Sequence, residues 1–153
     1  MSWLLDVNLL LATRWATHPD HAAAKGWLDF ATEFYTCPIC ELGFVRISLS
    51  TAYGASWHDV QQSLQNLHRH PGYRFLVDDV KGNESPETSY KNTTDAHLVA
   101  LAKRHGLKLG NLRCGFGVET LGRRSEREPI NTAIPKLLSR LRSLRTNPLV
   151  TAI

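Results

Sequence analysis

The chain has 153 residues, 42% of them hydrophobic and 21% charged, with 10 glycines and 7 prolines. This is the length of one globular domain able to bury a core without disulfides, and the composition excludes a collagen-like, disordered or low-complexity chain. The formal net charge of +4 sits wholly in the last quarter: residues 1–116 carry 11 basic and 11 acidic side chains, whereas residues 117–153 carry 7 basic against 3 acidic.

In chain order, Trp3-Leu4-Leu5 is a short apolar strand that runs into a helix from Asn8 to about Trp15. The apolar stretch Trp3–Ala12 is interrupted by Asp6 and Asn8. It is too short to span a bilayer and lacks the basic leader of a signal peptide. His18-Pro19-Asp20 breaks the chain, and Ala23, Trp27 and Phe30 then recur at helical spacing. Phe34–Cys37 is strand-like, and Pro38 suits the first turn of a following helix. Ser56 reads as the N-cap of a helix through Val60, Leu64 and Leu67 that His70-Pro71-Gly72 ends. Tyr73–Val77 is the next strand, and Thr93 or Thr94 caps a helix stopped by His105-Gly106. Leu107-Lys108-Leu109 begins a last core strand. Short apolar strands alternating with helices predict βαβ units around a mostly parallel sheet, with ligands at the carboxyl ends of its strands. Three cysteines, an odd number, fit a reducing cytoplasm better than a secreted disulfide scaffold.

Three acids fall where such a sheet places its sites. Asp6 directly follows the first strand, inside an otherwise apolar decamer, where a carboxylate is costly to bury without a partner or a cation. Glu41 and Asp95 lie in the first turns of the helices that begin at Pro38 and near Thr93. Singly, each can be structural; acids in a first helical turn answer the helix dipole. Together at strand–helix junctions, three carboxylates suggest a hard-cation site, and Mg²⁺ favours a few carboxylates with retained waters. Mg²⁺ or Mn²⁺ is therefore the expected cofactor. Asn8 either orients the first acid or caps its helix.

The string Leu4-Leu5-Asp6-Val7-Asn8-Leu9-Leu10-Leu11-Ala12 resembles the opening of PIN-domain ribonucleases of the VapC toxin type. So do Cys40-Glu41-Leu42-Gly43-Phe44-Val45-Arg46, His70-Pro71-Gly72-Tyr73-Arg74-Phe75-Leu76 and Thr94-Asp95-Ala96-His97-Leu98, in the family's order over residues 3–116. The resemblance implies a three-layer α/β/α sandwich, metal-dependent endoribonuclease activity and a cognate antitoxin that blocks the site. It implies metal-ligating and catalytic roles for Asp6, Glu41 and Asp95, with Asn8 and Thr94 in support. The family's fourth acid normally precedes a Gly-Phe pair by two residues; here Gly115-Phe116 is preceded by Arg113. Arg113 is therefore expected to modulate the site. It also sustains an alternative in which a catalytically impaired PIN-like module binds RNA or protein.

Other signals are weaker. Cys37-Pro38-Ile39-Cys40 has the form of a redox motif at a helix start, or is two small buried groups. His18, His21, His68, His70, His97 and His105 show no metal-binding spacing with a convincing carboxylate, and Asp78-Asp79 reads as a turn or cap. Leu137, Leu138, Leu141 and Leu144 alternate with Arg140, Arg142 and Arg145 as an amphipathic basic helix. Its stripe docks on the core or on a twin subunit, and its arginines face water or RNA phosphates. The expected organisation is one PIN-like domain over residues 1–153, with a core at 1–116 and a basic extension at 117–153. The expected partners are RNA, the antitoxin and a second copy in a homodimer, with no membrane.

Overall fold

The computed structural model describes residues 2–112. The expectations for Arg113, Gly115-Phe116 and the basic extension lie outside the described residues. The strands are β1 (Trp3–Leu5), β2 (Phe34–Thr36), β3 (Tyr73–Phe75) and β4 (Lys108–Gly110). The helices are α1 (Val7–Arg14), α2 (His21–Leu28), α3 (Pro38–Ser48), α4 (Trp57–His68) and α5 (Thr93–Arg104). A short 3₁₀ turn, Gly82–Glu84, which the pattern reading does not anticipate, lies in the β3–α5 connection.

The strands pair in the order β3-β2-β1-β4, every pair parallel, with Trp3 opposite both Phe34 and Lys108. Successive strand residues face opposite sides of a sheet, and here they build two cores. Leu5 and Phe34 join α1–α4 through Leu9, Leu10, Trp27, Phe44, Val60 and Leu67. Leu4 and Leu109 join α5 through Leu98, Leu101 and Ala102, together with Cys37 and Cys40. The result is a three-layer α/β/α sandwich. Each fully buried leucine contributes roughly 1.5–3 kcal/mol relative to exposure, and Leu4, Leu5, Leu9, Leu10, Leu98 and Leu101 are all fully buried. Leu9 to Ala12 are consecutively buried, so α1 is covered on nearly every side instead of showing a single apolar stripe.

Of the five α-helices among the described residues, α4 alone carries a side-chain N-cap. Ser56 caps α4 in a reciprocal capping box: its hydroxyl accepts the Asp59 N–H at 3.2 Å while Asp59 Oδ2 accepts the Ser56 N–H at 3.0 Å. Ser56→Ala is expected to cost about 1 kcal/mol of stability, measured by urea unfolding; an unchanged midpoint would mean the cap is not formed in solution. The Ser56 hydrogen bonds hold the Asp59 carboxyl below its ordinary value of 3.8. Its stabilising share is therefore present above that value and lost as pH falls through the lower folded value. At α5 the N-cap is Asn92 and not a threonine, because Thr93 is already helical and its hydroxyl donates to Ser89 O at 3.3 Å. Gly106, with φ of +65°, takes the left-handed turn after α5 that a side chain would strain. Among the described residues no helix is long and apolar enough to cross a membrane.

Candidate active site

With the order β3-β2-β1-β4, the chain turns toward β2 after β1, whereas β4 is added on the other side. The boundary between β1 and β4 is thus a topological switch point, where parallel α/β sheets open a crevice at their carboxyl edge. Asp6 sits at that point. Its N–H donates to Gly110 O at the end of β4 (2.9 Å), and its carbonyl accepts the Leu10 N–H at 2.9 Å to start α1. Although Asp6 occupies the N-cap, its carboxylate makes no capping bond to the helix, and the residue is only 2% exposed. Asn8 is the second residue of α1, half-buried, so it does not cap the helix.

Glu41 lies in the first turn of α3, which starts at Pro38 directly after β2. Its Oε1 takes three donors: the Thr36 hydroxyl at 2.6 Å, His68 Nε2 at 2.9 Å and the Tyr73 phenol at 3.0 Å. An oxygen so engaged has no lone pair left, and any further ligand must approach Oε2. Tyr73 packs against His68 with ring centroids 4.7 Å apart and planes tilted by 32°, which holds both donors in place. Burial, first, and the Glu41 carboxylate push the Tyr73 phenol up to about 12, so it remains a donor at any working pH. None of these three residues is marked in the sequence as a partner of Glu41. Tyr73 and His68 come from 32 and 27 positions away, and only the pairing of β2 with β3 brings Tyr73 close.

Asp95 occupies the first turn of α5, half-buried, with Thr94 exposed beside it. Because α5 leads into the start of β4, its first turn lies toward the same carboxyl edge as Asp6 and Glu41. The three acids share that edge, but among the described residues no three His, Cys, Asp or Glu side chains stand close enough to hold one metal ion together. The donor set suits a hard cation held by one or two carboxylates with its own waters, not an all-protein cage.

Two neighbouring features take their form from tertiary contacts. His97 pairs with Asp78: its Nε2 lies 2.9 Å from Asp78 Oδ2, with side chains only 12% and 17% exposed. Asp78 does also act as the expected cap, accepting the Val80 N–H at 3.2 Å. The cue was hidden because the connection between them, residues 79–96, folds back on itself. Cys37, at the N-cap of α3, and Cys40 are free, fully buried thiols with sulfurs 3.2 Å apart. The hydrogen bond from Cys40 holds the Cys37 thiol below its ordinary value; the same bond, with burial and the charge of Cys37, pushes Cys40 well up.

Tyr73→Phe keeps the ring and removes one donor to Glu41. It is expected to slow any reaction that relies on Glu41 roughly fivefold, equivalent to about 1 kcal/mol, with little change in melting temperature. A wild-type kcat in this variant would show that Glu41 needs no phenol.

Comparison with known proteins gives a consistent set of relatives. The chain is 37% identical over 137 residues to Ribonuclease VapC38 of Mycobacterium tuberculosis, covering 83% of this chain and 94% of that protein. It is 35% identical over 120 residues to Ribonuclease VapC39 of the same organism, covering 71% and 86%. Among solved structures, Mycobacterium tuberculosis VapC20, a sarcin-ricin loop cleaving toxin, superposes with a TM-score of 0.52. That match covers 69% of this chain and 85% of that one at 13% identity, a likeness of fold. No protein-family model matches the chain.

Proposed function

The chain belongs to the VapC-type PIN-domain ribonucleases, and from that premise we propose that it is a toxin endoribonuclease that cleaves RNA with a divalent cation held at the carboxyl edge of its sheet. The observation that carries this reading is positional: Asp6, only 2% exposed, sits at the switch point between β1 and β4, and Glu41 and Asp95 stand in the first turns of α3 and α5 toward the same carboxyl edge.

Asp6 and Asp95 are the proposed ligands. Glu41, held through Oε1, presents Oε2 as the group that orients and deprotonates the attacking water. Asn8 and Thr94 support the first and third acids. When bound, Mg²⁺ or Mn²⁺ supplies Lewis-acid charge against the phosphate and makes water a usable nucleophile near neutral pH. The chain's own work is positional: α1, α3 and α5 all open toward one edge of the sheet, and their N-terminal ends fix the acids before substrate arrives. The excess positive charge of residues 117–153 draws the RNA backbone, with affinity that falls as salt rises. We place the protein in the cytoplasm as a single unit, 1–153, acting as a homodimer, with a cognate antitoxin that covers the acidic edge.

Two measurements test this together. Calorimetric titration with Mn²⁺ should show binding that EDTA reverses, and purified protein should cleave RNA in Mg²⁺ or Mn²⁺ but not in EDTA. Cleavage that persists in EDTA would remove the cation from the reading.

A further inference from the structure

The CxxC at the start of α3 is not used by the proposed chemistry, yet its geometry is specific. The two sulfurs are 3.2 Å apart on the inner face of the first turn, packed with Leu4, Leu98, Leu101 and Leu109. A disulfide requires about 2.05 Å between sulfurs, so bond formation needs an approach of only about 1 Å. The pair is also bracketed in sequence by Thr36 and Glu41, which are joined by a 2.6 Å hydrogen bond. We propose that Cys37 and Cys40 form a reversible intramolecular disulfide when the protein meets a peroxide, and that this bond displaces Glu41. The second part rests on the role given to Glu41 above.

Burial sets the class of oxidant. Both thiols are fully buried, so a bulky disulfide cannot reach them, whereas a peroxide enters when the first turn of α3 opens locally. The Cys37 sulfur, at the N-cap of α3, attacks one peroxide oxygen. The O–O bond breaks, Cys37 becomes a sulfenic acid, and the displaced hydroxide leaves as water with the thiol proton. The Cys40 sulfur then attacks the Cys37 sulfur, the S–O bond breaks, and a second water leaves with the Cys40 proton. The dithiol loses two electrons and two protons, and one hydrogen peroxide is reduced to two waters. Contraction at Cys40 is passed directly to Glu41, the next residue in the same turn. A displacement of about 1 Å at a catalytic group can cost up to about a hundredfold in rate.

The test uses the full chain carrying Cys114→Ser, which leaves these two as the only cysteines. Protein treated with hydrogen peroxide, quenched, denatured and exposed to N-ethylmaleimide should take up no label, whereas reduced protein labels at both Cys37 and Cys40. The oxidised mass should be lower by two hydrogens, and dithiothreitol should restore both sites. With Mn²⁺, oxidised protein should cleave a model RNA about tenfold more slowly or worse, and reduction should restore the rate. In Cys37→Ser and Cys40→Ser, also on the Cys114→Ser background, brief peroxide exposure should leave cleavage unchanged. Full labelling after peroxide, or a gain of oxygen mass without loss of hydrogen, would overturn the disulfide. Equal rates before and after its formation would overturn the coupling to Glu41. Absence of cleavage in the reduced protein would count against the ribonuclease role of this site, while the labelling result would still decide whether the bond forms.

Discussion

Asp6→Asn should abolish metal-dependent cleavage, lowering the rate by at least about a hundredfold, or about 2.7 kcal/mol of transition-state stabilisation, while the fold stays intact. The substitution preserves shape, and the two backbone hydrogen bonds of Asp6, to Gly110 and from Leu10, do not involve its side chain. A neutral amide is cheaper to bury than a carboxylate, so the melting temperature in EDTA should equal or exceed that of the wild type. Asp95→Asn should lose activity similarly. Because Asp95 is half-buried, its stability should change less. If either variant cleaves RNA at the wild-type rate, that acid is not a ligand. If Asp6→Asn unfolds instead, its carboxylate is holding the fold and not the cation.

Gly43→Ala should damage the site without touching a proposed catalytic group. A Cβ built at Gly43 would lie 2.7 Å from Val7 Cγ2 and 3.1 Å from Cγ1. Val7 is β-branched and buried in the first turn of α1, so it has few rotamers into which to retreat. Ala gains about 1 kcal/mol in helix propensity over Gly, but overpacking typically costs about 1–3 kcal/mol, so the net effect on stability is a loss of up to about 2 kcal/mol. The effect on activity should be larger. Val7 follows Asp6 and Gly43 lies two residues after Glu41, so forcing α3 away from α1 separates the two acids. A shift of about 1 Å there should reduce kcat by ten- to a hundredfold. Measuring the melting temperature beside kcat and Mn²⁺ affinity separates the two effects. A variant with full activity and wild-type stability would show that α1 relaxes freely and that this contact does not set the site.

The arrangement of elements was legible because it depends on local physics. Apolar runs of three to five residues, breakers at His18-Pro19 and His70-Pro71-Gly72, Pro38 at a helix start and Ser56 as a cap are all read within a few positions along the chain. Boundaries moved by one to three residues, as at Tyr73–Phe75, where the apolar pattern continues to Val77 but the ladder with β2 does not. The junction positions of Asp6, Glu41 and Asp95 were visible for the same reason, since a carboxylate next to an apolar strand stands out from its surroundings.

What only the tertiary structure decided is what those acids meet. The strand order β3-β2-β1-β4 places Asp6 at the switch point, and no local pattern specifies which strand lies beside β1. The three donors on Glu41 and the pairing of His97 with Asp78 join residues 5 to 32 positions apart across loops and parallel strands. Sequence determines such contacts only through the packing of the whole sheet, because a side-chain hydrogen bond has no periodicity to read. Cys37 and Cys40 lie between these cases: their spacing put both sulfurs on one helical turn, but only burial against α5 and a sulfur separation of 3.2 Å distinguish a dithiol poised to close from two small core residues.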